Sequence, residues 1–114
     1  MFILGLEGGG ICDEILARGL GGVIFFSKDI QSAEQFKTLV AKIKNNPNIY
    51  FPFLSIDQEG GRVERTENIH GCKKYLSARF AYEKGLNFLK QQTCEIAEEL
   101  KSYGINLNFA PCID

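Results

Sequence analysis

Gly21-Gly22-Val23-Ile24-Phe25-Phe26 is a continuous apolar run with no polar residue at alternate positions. A strand with one face in water alternates, so this run predicts a strand covered on both faces, the habit of parallel sheets. The residues that follow agree. Ser32 and Gln35 have the spacing of a capping box. Phe36, Leu39, Val40 and Ile43 fall at i, i+3, i+4 and i+7, one face of a helix. Asn45-Asn46-Pro47 stops that helix. A second apolar run at residues 50–56 predicts the next strand. Strand, helix, strand in this order joins parallel neighbours through a crossover.

The same alternation continues towards both ends. Residues 2–6 predict a short buried strand, followed by the turn Gly8-Gly9-Gly10 and a short helix over residues 11–18 closed by Gly19. Residues 57–75 form a long polar loop. Residues 87–103 predict a second strong helix, with Leu89, Ile96, Leu100 and Tyr103 on or near one face and Gly104 as its C-cap. Residues 105–110 are the last strand. No repeat or linker divides the chain, so residues 1–114 are expected to be one unit. Two architectures fit: an open doubly wound sheet and a barrel.

Composition narrows the function classes. The chain is 45% hydrophobic and 24% charged, which is ordinary for a globular protein. Thirteen basic and fourteen acidic residues leave a net charge of −1, so no basic face for nucleic acid is implied. No apolar run approaches the roughly 20 residues that span a bilayer. The first ten residues, MFILGLEGGG, lack the basic start and long apolar run of a secretory signal. No membrane partner and a cytoplasmic location are therefore expected. Cys12, Cys72, Cys94 and Cys112 are far apart, and His70 is the only histidine, so metal-ligand spacing is absent. The cysteines are expected to be reduced and mostly buried. The glycine-rich turns match neither dinucleotide nor P-loop spacing, which argues against nucleotide binding.

The chemistry-bearing stretch is SIDQEGGRVER, residues 55–65. Loops at the ends of parallel strands converge on one crevice or mouth. Asp57 is the first polar residue past its strand and is expected to point there. An ionised carboxylate only accepts, which suits adjacent sugar hydroxyls. Gly60-Gly61 permits a sharp turn or close approach to a ligand. Arg62 and Arg65 offer forked donors to neighbouring carboxylates or to ligand oxygens. The competing reading is a salt-bridged loop that only stiffens the strand end. Asp57 and Glu59 do not suit a glycosidase acid/base pair. Such carboxylates flank a bond from opposite sides, about 5 Å or more apart.

Ile56-Asp57-Gln58-Glu59-Gly60-Gly61-Arg62-Val63 with Arg65 resembles the DQEGGRVxR signature of glycoside hydrolase family 3. The likeness is closest to its bacterial cytoplasmic β-N-acetylhexosaminidases, which recycle cell-wall muropeptides. Residues 21–30 (GGVIFFSKDI), residues 31–36 (QSAEQF) and residues 104–114 (GINLNFAPCID) resemble three further family segments in the same order. The segment at residues 72–77 departs from the family in lacking proline, and Glu64 and Thr66 flank Arg65 where other residues are frequent.

The resemblance implies an α/β fold, the N-terminal part (about half) of a (β/α)8 barrel, since a full barrel takes roughly 200 residues or more. It implies removal of terminal β-linked N-acetylglucosamine by a retaining mechanism, with no metal or organic cofactor. Asp57 and Arg65 match residues that bind or support the non-reducing sugar, with Glu59, Gly60, Gly61 and Arg62 as loop support. The family's acid/base histidine and nucleophilic aspartate lie in segments that these 114 residues do not contain, and His70 stands in the wrong context for the former. No catalytic residue is therefore assigned. The small-molecule partner expected is an N-acetylglucosamine-containing muropeptide, and self-association through open barrel edges is the expected macromolecular contact. Two alternatives stand: a noncatalytic sugar-binding or assembly module, and a β-glucosidase-type member of the same family.

Overall fold

The computed structural model describes residues 3–6, 20–47 and 52–112. The expected helix over residues 11–18 and the turn at Gly8-Gly9-Gly10 lie outside them. Four strands, β1 (Ile3–Gly5), β2 (Gly22–Phe25), β3 (Phe53–Ile56) and β4 (Leu107–Asn108), form one sheet in the order β1-β2-β3-β4. Every neighbouring pair is parallel. This order never reverses direction, whereas a doubly wound sheet turns back at a switch point. The progression is that of a barrel wall.

Helix α1 (Ala33–Lys44) crosses from β2 to β3. Its N-cap follows the spacing: the Gln35 amide N–H donates to Ser32 Oγ at 3.1 Å. The returning bond differs from the standard box, because Gln35 Oε1 accepts from the Gln31 N–H, at 3.0 Å. Helix α3 (Leu86–Ser102) crosses from β3 to β4. Gly104, at φ 90°, ends it with two bonds, Gly104 N to Lys101 O and Ile105 N to Leu100 O. That is the Schellman pattern, which only a residue tolerant of the left-handed region supports cheaply.

The register puts Val23 beside Leu54 and Phe25 beside Ile56. All four are buried and pack with Phe36, Val40 and Ile43 of α1 and Leu100 of α3. Phe36 sits edge-on to Phe25, with ring centroids 5.1 Å apart. Gly22 allows β2 to lie close against β3: a Cβ there would stand 2.4 Å from the Phe53 carbonyl oxygen. Ile24, Ser55 and Leu107 occupy the opposite face, and Ser55 Oγ donates to the Val23 carbonyl at 2.8 Å.

The structure differs from the sequence expectation in the exposure of β1, in a further helix and in the cysteines. The sequence predicts a buried β1, but Ile3 is half-buried and Leu4 and Gly5 are exposed, because β1 has a strand partner on one side only among the described residues. A short helix, α2 (Ala78–Glu83), precedes α3. It buries only Ala81, so it carries no apolar stripe for periodicity to find. The described cysteines are free, as expected, but Cys94 and Cys112 are exposed rather than buried, and Cys72 is half-buried; Cys12 lies outside the described residues. Cys94 lies on the solvent side of α3, whose buried residues are Gln92 and Leu100.

Candidate functional site

Side chains alternate across a strand, so Asp57 continues the Ser55 side of β3 and Gln58 the Ile56 side. Asp57 thus opens on the face away from the helices, and Gln58 turns into the packed layer, where it is 1% exposed. Arg65 returns from the loop to meet Asp57 edge to edge. Its Nε donates to Oδ1 and its Nη2 to Oδ2, both at 2.6 Å. The Arg65 guanidinium also lies over the Phe26 ring, 5.4 Å from its centroid, one residue past the end of β2. The hydrogen bond to Asp57 raises the Arg65 pKa above its ordinary value, burial opposing. The guanidinium stays cationic.

The pair is about a quarter exposed on each side, so its attraction is screened and contributes little to stability. Its value lies in orientation. An ionised carboxylate has about four acceptor positions and a guanidinium five N–H donors. The fork uses two of each. Two acceptor positions on Asp57 and three donors on Arg65 are left for other groups.

The loop between them is a built structure. Glu59 N and Gly60 N both donate to the Val63 carbonyl, at 3.0 and 3.1 Å, and Gly61 N donates to the Tyr75 carbonyl at 2.8 Å. Gly60 and Gly61 have φ of 80° and 67°. A Cβ on Gly60 would stand 2.4 Å from the Leu76 carbonyl oxygen. Glu64 Oε1 accepts from the Tyr75 N–H at 2.7 Å. Glu59 Oε1 accepts from the Cys112 thiol at 3.4 Å. Arg62 is exposed and makes no hydrogen bond or ion pair among the described residues. His70 is exposed in the same loop.

Sequence reasoning missed Gln58, Asn108 of β4 and Asn106 just before that strand. Gln58 Oε1 accepts from the Arg65 N–H at 2.6 Å, and its Nε2 contacts Thr66 Oγ1 at 3.1 Å. The Asn108 side chain holds the Gln58 peptide at both ends: Oδ1 accepts from Gln58 N at 2.9 Å, and Nδ2 donates to Gln58 O at 3.2 Å. Asn106, two residues earlier, bridges Pro52 and Leu54, accepting from Leu54 N at 2.8 Å and donating to Pro52 O at 3.0 Å. A side-chain amide has the donor and acceptor of a peptide group, so these two residues lengthen a two-residue strand's grip on β3. The alternation Asn106, Asn108 was the available signal.

Helix α3 fixes the far end of the loop. Gln92 clamps Leu76 through N–H and C=O, at 3.0 and 2.8 Å. Glu99 accepts from the Cys72 thiol at 2.6 Å and from the Tyr75 hydroxyl at 2.7 Å. Lys73 pairs with Glu95, which with Gln91 holds the Glu95 carboxyl below the usual range. Burial, then Glu99, pushes both the Cys72 thiol and the Tyr75 phenol upward. Burial, with Cys72 and Glu99 nearby, raises Tyr103 to about 12. Among the described residues, no group of three His, Cys, Asp or Glu side chains could hold a metal ion. No described helix is long and apolar enough to cross a membrane.

A parallel, barrel-wise sheet with a carboxylate–guanidinium fork past its third strand defines an α/β protein with a polar site at the barrel mouth. Comparison with known proteins gives it a family. The profile described as "Glycosyl hydrolase family 3 N terminal domain" matches residues 11–114, and the chain belongs to that family. Beta-hexosaminidase A of Pseudoalteromonas piscicida is 34% identical over 109 residues, covering 89% of this chain and 18% of that protein. Beta-hexosaminidase of Neisseria gonorrhoeae (strain NCCP11945) is 33% identical over 111 residues, 88% of this chain and 29% of that protein. The crystal structure of NagZ from Neisseria gonorrhoeae in complex with zinc ion superimposes with a TM-score of 0.77 at 29% identity, over 98% of this chain and 36% of that one. The same enzyme in complex with N-trifluoroacetyl-D-glucosamine gives 0.71 at 27%, over 96% and 35%. The chain therefore spans less than a third of the length of the two curated relatives. The sheet matches the N-terminal part of the NagZ barrel domain.

Proposed function

We propose that this chain is the glycone-binding part of a retaining β-N-acetylhexosaminidase that removes terminal β-linked N-acetylglucosamine from peptidoglycan-derived muropeptides in the cytoplasm. The observation that carries the reading is the Asp57–Arg65 fork past the end of β3. Adjacent sugar hydroxyls each donate and accept. A carboxylate with two acceptor positions left, beside a guanidinium with three donors left, meets both needs. The ordered family segments and the hexosaminidase relatives support the substrate class.

Asp57 and Glu59, two positions apart in one loop, do not flank a bond from opposite sides as a glycosidase pair requires. Binding without turnover is the expected behaviour of the 114-residue chain. The test is a ¹⁵N-NMR titration with N-acetylglucosamine, alongside a chromogenic β-N-acetylglucosaminide assay. Saturable shifts around Asp57 and Arg65, lost in Asp57→Ala, with no hydrolysis, are expected. Shifts that persist in Asp57→Ala would overturn the assignment of the fork, and hydrolysis by the pure chain would overturn the division of labour.

A further inference from the structure

We propose that Gln58 is the positioning residue of the Asp57–Arg65 site: its buried amide sets the path of the chain at Arg65, and so the edge that Arg65 presents to Asp57. The inference deepens the sugar-binding reading and rests on it for the identity of the ligand alone.

The geometry is specific. A backbone N–H only donates, so the group 2.6 Å from Arg65 N is Gln58 Oε1, and the amide nitrogen faces Thr66 Oγ1. One side chain thus holds two consecutive loop residues, Arg65 and Thr66. Thr66 is itself 1% exposed, so this contact lies in the packed layer and not in solvent. The peptide of Gln58 is in turn held at both ends by Asn108. A continuous path runs from β4 through Gln58 to Arg65 and then to the Asp57 carboxylate. Arg65 has no other side-chain hydrogen bond among the described residues. Its long side chain has several rotatable bonds, so the fork is selective only where the backbone is fixed.

Leucine or methionine at position 58 would fill the same buried space. An amide there is justified by the two loop groups it satisfies, since a buried N–H left unpaired is costly. A purely structural glutamine would alter stability and leave the Arg65 side chain alone. A positioning glutamine alters the fork itself.

The Arg65 Nε–H resonance separates the two. In the ¹⁵N-labelled chain it is expected to be resolved, shifted and slow to exchange, and to be lost in Asp57→Asn, which assigns it. Gln58→Met is expected to move it to the bulk arginine position and to weaken N-acetylglucosamine binding about tenfold, as loss of one such hydrogen bond implies. Gln58→Glu keeps the acceptor for Arg65 N and is expected to restore the resonance. An unchanged Arg65 Nε–H in folded Gln58→Met would overturn the proposal. Should Gln58→Met fail to fold, Gln58→Asn, which stays polar but draws the acceptor back by one methylene, takes its place, and an unchanged resonance there is equally fatal. A resonance that follows Gln58 in a chain that ignores the sugar would uphold the positioning role and sink the ligand assignment instead.

Discussion

Gly60 and Gly61 look equivalent in the sequence and are not equivalent in the structure. Both have positive φ, but a Cβ on Gly60 would meet the Leu76 carbonyl oxygen at 2.4 Å, while one on Gly61 would meet the Ser77 Cβ at 3.1 Å. A carbonyl held in the loop cannot move aside cheaply; a serine side chain can shift by a few tenths of an ångström. Gly60→Ala is therefore expected to cost about 2–4 kcal/mol, the left-handed penalty plus overpacking, and Gly61→Ala about 1–2 kcal/mol. Urea unfolding of the two variants, compared with the parent, checks the order; equal losses would contradict it. The sequence showed that glycine was needed at this turn. It did not show that the close neighbour is the protein's own backbone at Leu76, because that contact joins residues far apart in the chain. Asp57 was legible for the opposite reason, as a polar residue directly after an apolar strand. Gln58 was not, since glutamine beside Asp57 and Glu59 has the look of a solvated loop residue.

At the scale of elements, α3 has two faces at work. Its apolar positions, Leu100 with Ile96 and Tyr103, join the core and were found by periodicity. Its polar positions Gln92, Glu95 and Glu99, at i, i+3 and i+7, hold the loop at Leu76, Lys73, Cys72 and Tyr75. A row of Gln and Glu on a helix carries no mark that distinguishes a solvated face from a clamp, so this half of the element was invisible. It has a pH signature. The Cys72 thiol and Tyr75 phenol have folded pKa values raised above ordinary values near 9 and 10. Between the unfolded and folded values the native state binds more protons, so unfolding free energy falls as pH rises. The contribution is fully present at neutral pH and is lost above about pH 9. Burial is the first cause of both shifts and Glu99 the next, so Glu99→Gln should reduce the alkaline loss without abolishing it. Thermal melts at pH 7 and pH 10 measure this. A fall in Tm as large in Glu99→Gln as in the parent would remove Glu99 from the account.

For the whole molecule, continuous apolar runs and one clear helical face were enough to give parallel strands and crossovers, because burial on both faces leaves no room for alternation. Choosing a barrel wall over a doubly wound sheet needed the family segments, since strand order depends on pairings that no local pattern encodes. The structure supplies that order, and with it a consequence for behaviour in solution. Among the described residues, β1 and β4 each have a strand partner on one side only. Leu4, Phe53 and Phe109, on or beside the strands, are 41%, 39% and 46% exposed. Unpaired strand edges flanked by exposed apolar side chains favour pairing with another chain, and charge at the edge opposes it. The 114-residue chain is therefore expected to self-associate, with a weight-average mass in sedimentation velocity that climbs above 12.8 kDa with concentration. Phe109→Lys, which places a charge beside β4, should shift that association to higher concentration while leaving the Asp57–Arg65 fork in place. A single species at 12.8 kDa across the series would mean that the β1 and β4 edges are already covered within one chain.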